Sequence, residues 1–110
     1  MIIVKLIDYL ESTLDINVYT EQPEILTGYI LLDQTGCTIN EHIKRTTIAI
    51  QSYAPTQYEA MQMNEDVKAA MHDFVRDDDV TRVELETDYN FTNTVTKQHR
   101  WQAVYHIYHY

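Results

Sequence analysis

The stretch from Val80 to Tyr110 is the part of this sequence that most restricts the fold. Val83, Leu85 and Tyr89 alternate with Arg82, Glu84, Glu86 and Asp88, so Val80 to Tyr89 reads as a strand with one wet face. Asn90 to Thr94 is a polar turn, and Thr96 to Tyr110 reads as a final long strand. Trp101, Ala103, Tyr105 and Ile107 fall on one side of it, and Arg100, Gln102, Val104, His106 and Tyr108 on the other. Neither side is fully polar. A hairpin of this kind is at best marginal by itself, so the rest of the chain must supply more strands and something to cover a face.

The other segments meet that demand. Ile3, Leu6, Ile7, Leu10 and Leu14 recur at three- and four-residue steps, with Lys5, Asp8 and Glu11 opposite, which predicts a helix over Ile2–Leu14 lying on one layer of structure. Ile16 to Tyr19 is a short strand candidate, and Gln22-Pro23-Glu24 is a turn because Pro cannot donate to a ladder. Tyr29 to Asp33 reads as a short strand ended by Thr35-Gly36, with Cys37 in the turn that follows. His42 to Tyr53 is a long strand, with β-branched Thr46, Thr47, Ile48 and Ile50 suited to a pleated surface.

Thr56 and Glu59 form a T-x-x-E capping box after Pro55, the clearest helix start in the chain. Ala60, Met63, Val67, Met71, Phe74 and Val75 then mark its apolar face, and Asp77-Asp78-Asp79 ends it, since carboxylates are unfavourable at a helix C-terminus. The order is α-β-β-β-α-β-β. The expected class is α+β: an antiparallel or mixed sheet of four to five strands with both helices on one face.

A chain of 110 residues is expected to form one domain, residues 1–110. One cysteine excludes an internal disulfide and fits a reducing compartment. The start, MIIVKLIDYL, reads as neither a signal peptide nor a membrane span.

The net charge of −9 argues against a protein that grips nucleic acid, since phosphate affinity comes from clustered Lys and Arg. That charge is unevenly placed. Residues 1–41 hold seven acids and one base, and residues 59–79 hold seven acids and two bases. Residues 42–58 and 90–110 hold no acid, and both fall on expected strands.

Catalytic and metal chemistry find little support in these spacings. Cys37 has His42 five residues on, but a nucleophile needs a partnered base and a depressed pKa, which spacing alone does not provide. Asp77–Asp79 lacks the alternation and glycine of a calcium loop and fits a solvated helix end better. His106 and His109 point to opposite faces of a strand, and His99 and His109 lie too far apart for one ion. Phosphate-cradling and hydrolase motifs are absent. The expectation is a non-enzymatic interaction protein with no cofactor and no metal within the subunit. Aromatic side chains on both faces of the last strand favour an oligomer, since Tyr and Trp are enriched at interfaces.

The hairpin from Glu84 to Tyr110 also resembles the end of small neck proteins of long-tailed bacteriophages. These are the tail terminators and the tail-completion or minor capsid proteins of the head–tail joint. The shared pattern is the acidic strand Glu84-Leu85-Glu86-Thr87-Asp88-Tyr89, a polar turn with Phe91, and the strand Arg100-Trp101-Gln102-Ala103-Val104-Tyr105-His106-Ile107-Tyr108-His109-Tyr110 that ends the chain. It covers roughly a quarter of the sequence, and the wider match is one of plan.

The resemblance implies assembly: a hexameric ring that caps the tail tube, stops further subunit addition and docks to the head connector. It places the protein in the tail or neck of the virion, and in the host cytoplasm during assembly, without a membrane. Its partners would be copies of itself, the tail-tube protein and the head-completion or connector protein. Trp101, Tyr105, Tyr108 and Tyr110 are candidates for core or contact, with Arg100 a cross-subunit charge partner. Asp77, Asp78, Asp79, Glu84, Glu86 and Asp88 are candidate channel-facing acids that would repel passing, non-specifically handled DNA; a solvated outer face is the plainer role for them. A small acidic protein-binding module or regulator, monomeric or dimeric, is the competing class.

Overall fold

The computed structural model describes residues 1–25 and 28–110. Helix α1 (Ile2–Leu14) leads into β1 (Asn17–Tyr19), β2 (Tyr29–Asn40) and β3 (Ile43–Tyr53). Helix α2 (Gln57–Asp73) continues through a 3-10 turn, Phe74–Arg76, into β4 (Val80–Asn90) and β5 (Arg100–His109). The strands form one mixed sheet in the order β1-β2-β3-β5-β4. Only β1 and β2 are parallel. The α-β-β-β-α-β-β order and the α+β class are as the sequence predicts.

Each element has a local cause. The α1 stripe buries Leu6 and Leu10 completely, and the helix stops at Asp15, which adopts the left-handed conformation with its amide on the Glu11 carbonyl. Thr56 caps α2, its hydroxyl accepting from the Glu59 amide at 3.2 Å. The core lies between the helices and one face of the sheet. Leu6, Leu10, Val67 and Met71 meet Ile30, Leu32, Ile48, Ile50, Ala103, Tyr105 and Ile107. Fully burying a Leu or Ile side chain contributes roughly 1.5–3 kcal/mol.

Four local expectations are corrected. β2 does not end at Thr35-Gly36. A one-residue bulge between Gln34 and Gly36 absorbs the irregularity, and the strand runs on to Asn40 against β3. Cys37 is therefore an exposed strand residue paired with Thr46, not a turn residue. β5 begins at Arg100, because Asn93 and Gln98 bridge across a tight turn. Val75 is exposed, since the 3-10 turn changes the angular step and carries it off the apolar face.

β1 pairs only with Tyr29, Ile30 and Leu31. Beyond them β2 has a neighbour on one side only, and its residues from Asp33 to Asn40 are all exposed. The opposite edge, β4, carries two bulges and the charged series Arg82, Glu84, Glu86 and Asp88, features that discourage edge pairing.

Candidate assembly surface

Both helices pack on one face, so the opposite face of the sheet has no helical cover. Alternation and register place on it Arg45, Thr47, Ala49, Gln51 and Tyr53 of β3, opposite Tyr108, His106, Val104, Gln102 and Arg100 of β5. These positions lie in the acid-free stretches of the sequence. On β4 the strict alternation fails. The bulge between Leu85 and Thr87 shifts the register so that Asp88 pairs with Ala103 and Tyr89 with Gln102. Asp88 thereby turns to the helix side, where it accepts from Asn64 Nδ2 at 2.9 Å and pairs with Lys68 at 3.0 Å. Tyr89 turns to the open face, and its hydroxyl accepts from Gln102 Nε2. One extra residue exchanged an acid for an aromatic.

Sideways contacts close much of this face, so that Ala49, Gln51, Tyr53, Gln102 and His106 are buried although no helix lies over them. Tyr29 and Tyr53 stack with centroids 4.4 Å apart. The Tyr53 hydroxyl donates to Gln51 Oε1 at 2.8 Å, and Gln51 Nε2 donates to Gln102 Oε1 at 2.9 Å. Arg100 lies 4.3 Å above the Phe91 ring, donates from Nε to the Phe91 carbonyl at 2.6 Å and from Nη1 to the Tyr53 hydroxyl at 3.1 Å. At the other end Tyr108 sits between Arg45 and Arg82, whose guanidinium carbons lie 6.0 and 5.6 Å from its centroid. Arg45 Nε also donates to the Tyr108 hydroxyl at 3.2 Å. Such contacts are worth about 0.5–2 kcal/mol, more as water is excluded.

The middle of this face holds an arrangement that no motif announces. Thr47 Oγ1 lies 2.8 Å from His106 Nδ1, and His106 Nε2 lies 2.9 Å from Glu86 Oε1. A carboxylate only accepts, so Nε2 carries the proton toward Glu86; in the neutral ring Nδ1 then accepts from Thr47, and in the charged ring it donates to it. The order hydroxyl–imidazole–carboxylate is that of a nucleophile relay. Acyl transfer also needs donors for an oxyanion. Thr47, however, sits in an interior strand paired on both sides, with Gly36 and His106, so its backbone is committed to the ladder. The trio clamps β3, β5 and the bulged β4 together.

The candidate contact residues divide. Tyr105 is 4 % exposed and belongs to the core under the helices; burial pushes its hydroxyl up to about 12. Trp101 is half-buried on the same side, and its Nε1 is buried without a hydrogen-bond partner among the described residues. Tyr108 and Arg100 are on the open face, half-buried. Tyr110 is 64 % exposed at the chain end, its amide on the Asp79 carbonyl.

Most candidate channel acids are paired within the chain. Asp77 and Asp79 both meet Lys5, Glu84 meets Arg82 at 2.6 Å, Glu86 meets His106 and Asp88 meets Lys68. Asp78 is exposed. The Asp79 amide, 2.9 Å from Asp77 Oδ1, is the main cause of a lowered Asp77 pKa, with the Lys5 ammonium adding to it. Among the described residues no group of three or more His, Cys, Asp or Glu is placed to hold a metal ion, and no described helix is long and apolar enough to cross a membrane. No protein-family model matches the chain, and no curated protein matches it.

Proposed function

We propose that this chain is a structural subunit of the head–tail joint of a long-tailed bacteriophage or prophage, a tail terminator that closes into a ring on the tail tube and docks to the head connector. The observation that carries the reading is the sheet face without helices, where Tyr89, Arg100 and Tyr108 of the hairpin that resembles the neck proteins lie beside Arg45 of β3 and Arg82 of β4. Buried aromatic and Arg anchors dominate protein interfaces. A subunit with an acidic helical side and a sheet side where arginines lie against aromatic rings has two different surfaces to offer a neighbour. A head-to-tail contact between unlike surfaces closes into a ring when its rotation allows.

Removal of the gene from a phage that carries it tests this role. A terminator stops tube growth, so its loss is expected to give overlong tails that do not join heads, reversed by supplying the chain in trans. Tails of normal length attached to filled heads would contradict the role.

A further inference from the structure

The two edges of the sheet are finished differently. β4 is broken by two bulges and carries Arg82, Glu84 and Glu86. β2 is paired with β1 only as far as Leu31, and from there to Asn40 its other side meets no strand among the described residues. Edge strands are normally blunted by charge, proline, bulges or a cover, because their free N–H and C=O groups invite another strand. The one bulge of β2 lies between Gln34 and Gly36; beyond it Gly36 to Asn40 pair one for one with Thr47 to Ile43. That regular stretch, Gly-Cys-Thr-Ile-Asn, holds no charge and no proline. Its residues are all exposed, Ile39 to 70 %.

We propose that the β2 edge, from Gly36 to Asn40, pairs antiparallel with the same edge of a second copy of this chain. A free ladder is completed by a strand, and β4 is guarded, so the edge of this molecule that can answer β2 is β2 itself. Charge agrees: copies of net charge −9 repel, and residues 34–40 are uncharged where they would meet.

The regular stretch fixes the register. Its midpoint is Thr38, so the two-fold axis passes between the two copies of Thr38. Cys37 of each copy then faces Ile39 of the other, and Gly36 faces Asn40. Asp33 and Glu41, which bracket the stretch, do not face one another. Thr–Thr pairs and apolar pairs across strands are both favourable. The four residues Leu32 to Thr35 separate the stretch from β1 by about 13 Å, which leaves room for the turn of the second copy.

This contact goes beyond the ring reading and does not rest on it. It uses the same surface on both copies and so stands outside a head-to-tail ring. Five residue pairs make a smaller contact than the roughly 1,200–2,000 Å² of a standard interface. The pairing is therefore weak, and it joins free subunits or neighbouring rings at high concentration.

Disulfide trapping in the full chain tests it. Cys37→Ser removes the native thiol, and Thr38→Cys then places one thiol on each side of the axis. Directly opposed residues have Cα atoms about 4.5–5.5 Å apart, within disulfide range. Diamide takes the two thiol hydrogens and leaves the S–S bond. Covalent dimer is expected to form at least about tenfold faster than in Cys37→Ser with Thr87→Cys, an exposed position on the guarded edge. Adding Ile39→Lys to the Thr38→Cys variant is expected to remove that advantage while the urea midpoint stays unchanged. Equal rates at Thr38 and Thr87, or trapping at Thr38 that Ile39→Lys leaves unaltered, would overturn the pairing.

Discussion

Tyr105 and Tyr108 stand three positions apart on β5 and belong to different environments. Tyr105 fills the space between sheet and helices, whereas Tyr108 stands beside Arg45 and Arg82 on the opposite face. Tyr105→Ala is expected to cost about 3–5 kcal/mol in urea unfolding, the range for emptying a large aromatic site. Tyr108→Ala is expected to cost about 1 kcal/mol of fold stability, the size of a lost cation–π contact, while sharply weakening assembly. Equal losses of stability at the two positions would contradict this assignment. Alkali offers a second reading of Tyr105. Its hydroxyl is held protonated up to about 12, against 10.0 ordinarily. Between those values the unfolded chain releases a proton that the folded chain keeps, so stability falls as pH rises. Urea unfolding followed from pH 9 to pH 11 is expected to show a smaller alkaline loss in Tyr105→Phe than in the unaltered chain.

Elements were legible where a strong local pattern agreed with the tertiary structure. The α1 stripe and the Thr56 cap fix both helices, and Thr56→Ala is expected to lower stability by about 1 kcal/mol in thermal or urea melts. No measurable change would mean that the Glu59 amide finds another acceptor. β4 shows where local pattern fails. Alternation assigns Tyr89 to the face of Val83 and Asp88 to the face of Glu84, but the bulge between Leu85 and Thr87 reverses both. A bulge is chosen by the partners on either side of the strand, here Lys68 and Asn64 for Asp88 and Gln102 for Tyr89. None of those is near in sequence. The Thr47–His106–Glu86 clamp was hidden for the same reason, since it joins three strands. The turn after the 3-10 segment has its own signature in acid. Asp77 titrates below its ordinary 3.8, so its contribution is present above that pH and is lost as pH falls through the lowered value. Asp77→Asn is expected to lower stability at pH 7 and to flatten its loss in acid, read from urea midpoints at pH 7 and pH 3.

At the scale of the molecule, the charge pattern was legible before the fold. The acid-free stretches 42–58 and 90–110 became neighbouring strands, β3 and β5, and ten of the 17 acids lie in the helices and the segments that end them. What the sequence leaves open is which side of those strands the helices cover, because both sides carry aromatic residues. The structure covers the face of Ile48, Ile50 and Tyr105 and leaves that of Arg45, Gln102 and Tyr108. A one-sided sheet with an acidic back is the physical basis of the assembly reading, and its most direct test is the mass of the purified chain in solution. Sedimentation equilibrium at low salt is expected to show a closed species at six times the 13.0 kDa of one chain. A single species of 13.0 kDa, unchanged by concentration or salt, would contradict it.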